Sequence, residues 1–163
     1  MSASNQLARN RIGLAIKDIN IACKLATKKT GSLCFVIKSR ALSIQKDKSG
    51  CIEALKKALE YYPEDVITRH QYGVALSKAN RTKEAIKQFS KIIEQENKKE
   101  IPTETLMIAL RTRIINLKRI NRYNEIKGDL DFANELIRKY PHLKDQAWHF
   151  RELEEIDIAS NSE

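Results

Sequence analysis

Five glycines and three prolines are all that this 163-residue chain contains of the residues that break structure. So few turn formers disfavour a β-sandwich, whose many short strands need frequent breaks, and favour long helices. Apolar runs are short as well. None approaches the ~20 residues that span a bilayer, and the best candidate, residues 12–25, is interrupted by Lys17, Asp18 and Lys24. The opening residues Met-Ser-Ala-Ser-Asn-Gln are polar, so no secretory leader is expected. Cysteine is scarce: Cys23, Cys34 and Cys51 form an odd set without close pairing. That argues against a disulfide framework and for a reducing compartment, so a cytoplasmic, non-membrane protein is expected. Each cysteine sits among apolar neighbours and reads as a small core residue.

Catalytic signatures are missing too. The three histidines are His70, His142 and His149, and none has partners at metal-ligand spacing. There is no glycine-rich phosphate loop and no G-x-S-x-G elbow. Asp129 and Asp131, near Glu125 and Glu135, read as carboxylates on a solvated helix face. With no nucleophile, base or metal set, the expectation is no enzyme, no metal and no cofactor.

What the chain has is charge, unevenly spread. Net charge is +9. Residues 1–48 hold ten Lys or Arg against two Asp or Glu, whereas residues 143–163 hold two against six. A basic front and an acidic end speak to partners rather than to fold.

It also has a repeat. Residues 51–63 read Cys-Ile-Glu-Ala-Leu-Lys-Lys-Ala-Leu-Glu-Tyr-Tyr-Pro, and residues 85–97, 34 positions on, read Ala-Ile-Lys-Gln-Phe-Ser-Lys-Ile-Ile-Glu-Gln-Glu-Asn. A third copy, Asp-Leu-Asp-Phe-Ala-Asn-Glu-Leu-Ile-Arg-Lys-Tyr-Pro, lies at 129–141, a further 44 positions on. Apolar residues at i, i+1, i+4, i+7 and i+8 make a broad helical stripe. Pro63 and Pro141 stop their helices. Each copy is thus the second helix of a hairpin, with first helices expected at 32–46, 65–78 and 103–119. Thr103 is the expected cap of the last of these. Leu106, Met107, Leu110, Ile114 and Leu117 form its apolar face, and the ten extra residues of this unit are expected to lengthen both of its helices. Ser39 and Gly73, also 34 apart, put a small residue where two helices cross.

These residues resemble the tetratricopeptide repeat (TPR) family. Tyr72, Gly73, Leu76, Ala85, Phe89 and Ile92 fit its pattern in one unit, with Asn97 in place of the closing proline. Phe35, Ser39, Leu42, Leu55, Ala58 and Pro63 fit in the unit before, with Cys51 in place of an alanine. The resemblance implies an all-α, right-handed solenoid of about eight helices in antiparallel hairpins. Its parts are an N-terminal helix at 4–28, repeats at 32–65 and 66–99, an extended repeat at 100–141 and a capping helix at 143–158. In that cap Ala147, Phe150, Leu153 and Ile156 face inward, and Trp148 is expected in the core.

The resemblance also implies a concave groove lined by first helices: Val36, Arg40 and Ser43, then His70, Val74 and Ser77, then Thr105 and Arg113. The expected function is a scaffold or adaptor holding a segment of another protein, acidic or extended, as a regulatory or sensor region of a larger protein or assembly. The cationic clamp of chaperone-binding TPR proteins is not reproduced at Val36, Arg40 and Gln71. Two further surfaces stand out. Residues 4–28 carry more apolar positions than one face needs, which allows self-association or an upstream partner segment. Arg9, Arg11, Lys17, Lys24, Arg111, Lys118, Arg119 and Arg122 make basic stripes, the basis of an alternative nucleic-acid-associated function.

Overall fold

The computed structural model describes residues 3–96, 101–146 and 150, with side chains described from residue 10 onward except at positions 29, 96 and 146. Among the described residues seven α-helices follow one another: α1 (Ala3–Lys24), α2 (Lys28–Ile44), α3 (Lys48–Tyr61), α4 (Val66–Lys78), α5 (Thr82–Glu96), α6 (Thr103–Lys118) and α7 (Tyr123–Lys139). A 3-10 helix follows at Pro141–Gln146, and no strand occurs among the described residues. The chain divides into two compact units, residues 1–80 and 81–163. The division falls between α4 and α5, two helices that share one repeat in the sequence pattern.

In the first unit α1 packs on α2, α2 on α3 and α3 on α4. Short connections make such neighbours antiparallel hairpins. Asp47 caps α3, its Oδ1 accepting the Gly50 amide N–H at 2.8 Å. Asp65 caps α4, accepting from the Ile67 and Thr68 amides at 3.0 and 3.1 Å. These bonds satisfy donors that a helix N-terminus leaves open. Lys46 and Asn80, the residues that close the ends of α2 and α4, both adopt left-handed backbone, with φ of 64° and 62°. They lie 34 positions apart, so the repeat is written in the helix stops as well as in the apolar stripes. At α2 the Asp47 amide reaches back to the Leu42 carbonyl at 3.0 Å, a Schellman closure.

The front of the chain corrects one expectation. The N-terminal helix ends at Lys24, not at residue 28, and α2 begins at Lys28 rather than 32. The cause is local. Thr27 is extended, and its amide N–H donates to the Thr30 hydroxyl at 3.0 Å, which starts a helix there. Thr30-Gly31 reads like a break in the sequence, yet both residues lie inside α2. Gly31 is present for space. A Cβ built on it would lie 2.2 Å from the Tyr61 ring, which stacks on Phe35 at 5.7 Å. Gly31→Val is therefore expected to cost about 1–3 kcal/mol, the usual penalty for overfilling a packed contact. A fall in the urea midpoint that largely disappears in a Tyr61→Ala background would support this. An unchanged midpoint would mean the ring moves aside freely.

In the second unit α5 packs on α6, α6 on α7, and α7 on the 3-10 helix. One apolar core joins Ile86 of α5, all five residues of the expected α6 face (Leu106, Met107, Leu110, Ile114, Leu117) and Ile126, Leu130, Ala133 and Leu136 of α7. Each fully buried aliphatic side chain stabilises by about 1.5–3 kcal/mol. At 16 and 17 residues, α6 and α7 exceed α4 and α5 at 13 and 15, so part of the extra length is helix. Pro102, not Thr103, takes the cap position of α6, and Thr103 is the first helical residue. Proline suits that boundary because its missing N–H would have no partner there. The α6 end repeats the Schellman closure, Arg122 N–H to Leu117 O at 3.1 Å, with Asn121 left-handed at φ 56°.

The expected cap at 143–158 begins differently. Its first residues form the 3-10 helix, with Leu143 buried, and Phe150 is buried in the same core. Ala147, Trp148, Leu153 and Ile156 lie outside the described residues.

Candidate functional site

The first unit contains a cavity of about 580 Å³, within the range of roughly 300–1,000 Å³ typical of ligand sites. Three helices build it. From α2 come Ser39, Arg40 and Ser43; from α3 come Lys48, Cys51 and Leu55; from α4 come His70, Gln71, Val74, Ala75 and Lys78. Lys46, in the turn after α2, completes the wall. The spacing explains the convergence. Residues 39, 40 and 43 on α2, and 70, 71, 74, 75 and 78 on α4, each recur at three- and four-residue intervals and share one helix face.

The walls are mainly apolar, and the charges among the lining residues are of one sign. Arg40, Lys46, Lys48 and Lys78 are all exposed, and among the described residues no carboxylate lines the cavity. Asp47, between Lys46 and Lys48, caps α3 and sets one negative charge beside these four cations. Burial lowers the pKa of His70, so at neutral pH its imidazole is uncharged. Burial, followed by nearby Asp47, pushes the Cys51 thiol up, with Lys78 opposing. Cys51 is therefore a neutral wall element at pH 7 rather than a nucleophile. An apolar basin ringed by cations suits a ligand that has an apolar part and carboxylates beside it.

The cavity gathers four of the residues expected in a groove: Arg40, Ser43, His70 and Val74. The other four lie elsewhere. Val36 packs into the small core formed by Cys23, Phe35 and Ala58. Ser77 is buried and is not part of the lining. Thr105 and Arg113 belong to the second unit. Arg113 is occupied there, donating to Asp129 Oδ1 at 3.0 Å and to Glu125 Oε2 at 3.2 Å. The reading of Asp129 as a solvated carboxylate is thereby corrected: it is 6% exposed. Its pKa is raised to about 6, by burial first and by Glu125, with Arg113 pulling it down. The sequence pattern missed Lys46, Lys48, Gln71, Ala75 and Lys78. Lys78 stands eight positions after His70, a helical spacing already visible in the sequence.

The basic residues do not form one patch within a single unit. Arg11, Lys17 and Lys24 are exposed on α1, and Arg111, Arg119 and Arg122 are exposed in the second unit. Lys118 is half-buried, and Arg122 pairs with Glu125. The side chain of Arg9 lies outside the described ones. Cys23 is buried and Cys34 half-buried beside it. Among the described residues no three His, Cys, Asp or Glu side chains gather as a metal site. No helix of those residues is long and apolar enough to cross a membrane. Comparison with protein-family models and with curated proteins gives no match.

Proposed function

We propose that the chain is a non-catalytic interaction module, a right-handed TPR-like helical repeat working in the cytoplasm as a scaffold or adaptor. Its first unit takes an acidic segment of a partner protein into the cavity between α2, α3 and α4. The observation that carries this reading is the cavity itself, apolar inside and ringed by Arg40, Lys46, Lys48 and Lys78, with no carboxylate in the lining among the described residues. A bulky aliphatic or aromatic side chain would fill the basin, and carboxylates on either side of it would meet the cations. Such rim contacts set specificity and on-rate more than affinity.

The test uses the full chain and two fluorescent peptides. One carries a single leucine or phenylalanine among aspartates and glutamates; its twin replaces the acids with lysine. The acidic peptide is expected to bind in the micromolar range. Affinity should fall with added salt, and Arg40→Ala with Lys78→Ala should weaken it about tenfold, as loss of about 1.4 kcal/mol would. Equal binding of the twin would end the proposal. The nucleic-acid reading rests on the exposed cations of α1 and predicts salt-sensitive binding of random RNA and duplex DNA that Val74 substitutions leave intact.

A further inference from the structure

The cavity suits a bulky apolar residue with a carboxylate on each side, and this chain carries that pattern itself. Three of its bulky aliphatic residues have an acid directly before and directly after them. They are Leu130 between Asp129 and Asp131, Leu153 between Glu152 and Glu154, and Ile156 between Glu155 and Asp157. The first is not available. Leu130 is buried in the core of the second unit, and Asp129 accepts from Arg113 at 3.0 Å. The other two stand together in residues 152–158, Glu-Leu-Glu-Glu-Ile-Asp-Ile, which hold four acids and no base. This segment lies outside the described residues. It belongs to the second unit, whose core buries Phe150 two positions before it, whereas the cavity belongs to the first.

Given the cavity reading above, we infer that the cavity of one copy takes residues 152–158 of another copy, head to tail, so that the acidic partner of this chain is a second copy of it. Charge selects the pairing. Arg40, Lys46, Lys48 and Lys78 stand around the cavity against the single carboxylate of Asp47. The segment brings four acids to them. Leu153 or Ile156 fills the apolar basin, and the acids on either side meet the cations. A two-fold contact between the basic fronts of two copies would set like charges together; a head-to-tail contact does not. Such a contact is heterologous. A pair still leaves one cavity and one segment free, so assembly continues as concentration rises.

The experiment is light scattering on the full chain. Mean mass should rise with concentration and return to that of the monomer in high salt. Two variants should each stay monomeric. One is Val74→Glu, which sets a carboxylate in the cavity. The other carries Glu152→Gln, Glu154→Gln, Glu155→Gln and Asp157→Asn, which remove charge and keep Leu153 and Ile156. Mixed one to one, the two should form a heterodimer and nothing larger, because one supplies the segment and the other the cavity. That heterodimer also shows that both variants are folded. A peptide of residues 150–160 should bind the charge-removed variant at least about tenfold more tightly than its own Gln and Asn counterpart does. A parent chain that stays monomeric at millimolar concentration overturns the inference. So does association that persists in both variants, a mixture that stays monomeric, or equal binding of the two peptides. The cavity reading stands or falls separately, by the acidic peptide and its lysine twin.

Discussion

Arg113→Ala is expected to destabilise the second unit by about 3–5 kcal/mol at pH 8, the usual cost of leaving a buried charge without its partner. Arg113 bridges Asp129 and Glu125, and its side chain is only 16% exposed. With the guanidinium gone, Asp129 is stranded in a poorly solvated place, with Glu125, still paired with Arg122, close by. The loss depends on pH in a definite direction. Asp129 titrates at about 6 in the folded protein, above the ordinary 3.8. The folded state therefore holds this proton more tightly than the unfolded state. The group's stabilising contribution is complete below the ordinary value and is lost as pH rises through about 6. Removing Arg113 pushes that titration higher still and extends the loss toward neutral pH. At pH 4 Asp129 can stay protonated, and the same substitution should cost only about 1–2 kcal/mol. Urea unfolding followed by circular dichroism at both pH values checks this. An equal loss at the two would mean Asp129 is not the group left stranded.

The second large effect concerns binding. Val74→Glu puts a carboxylate on the cavity wall, facing Arg40, Lys46, Lys48 and Lys78. Val74 is half-buried, so the new side chain can reach the rim without being sealed in apolar surroundings. Stability should hold or rise slightly, because four like charges gain an opposite one. Affinity for the acidic peptide should fall about 30- to 100-fold, since the variant loses apolar contact and gains repulsion worth together roughly 2–3 kcal/mol. Val74→Leu separates the two causes: it keeps the apolar wall and should retain most of the affinity. If Val74→Glu bound the acidic peptide as tightly as the parent, the cavity could not be the site.

Periodicity within one helix was legible in the chain, and proximity between helices was not. The stripes of α3, α5 and α7 and the whole apolar face of α6 follow from spacing alone, because one buried face imposes it. The 34-residue interval is repeated by Lys46 and Asn80, whose left-handed backbone carries no strong residue signature in the case of lysine. The α1–α2 boundary was hidden because Thr30 and Gly31 look like a linker. Only the Tyr61 ring, thirty residues on, explains the glycine. Arg113 looked like a groove residue because its partners Glu125 and Asp129 sit 12 and 16 positions away on another helix. A third of the cavity lining was legible for the opposite reason: Arg40, Ser43, His70 and Val74 follow the 34-residue register. Lys46 and Lys48 were not, since a lysine in a turn or at a helix start looks the same whether or not it overhangs a cavity.

An acidic segment is proposed to bind between α2, α3 and α4. The most direct measurement is a nitrogen-15 NMR titration of the full chain with the acidic peptide. The expected result is amide shifts concentrated at residues 39–51 and 70–78, absent with the lysine twin and absent in Val74→Glu. Shifts confined to the basic residues 111–122, or the same pattern with the twin, would contradict it.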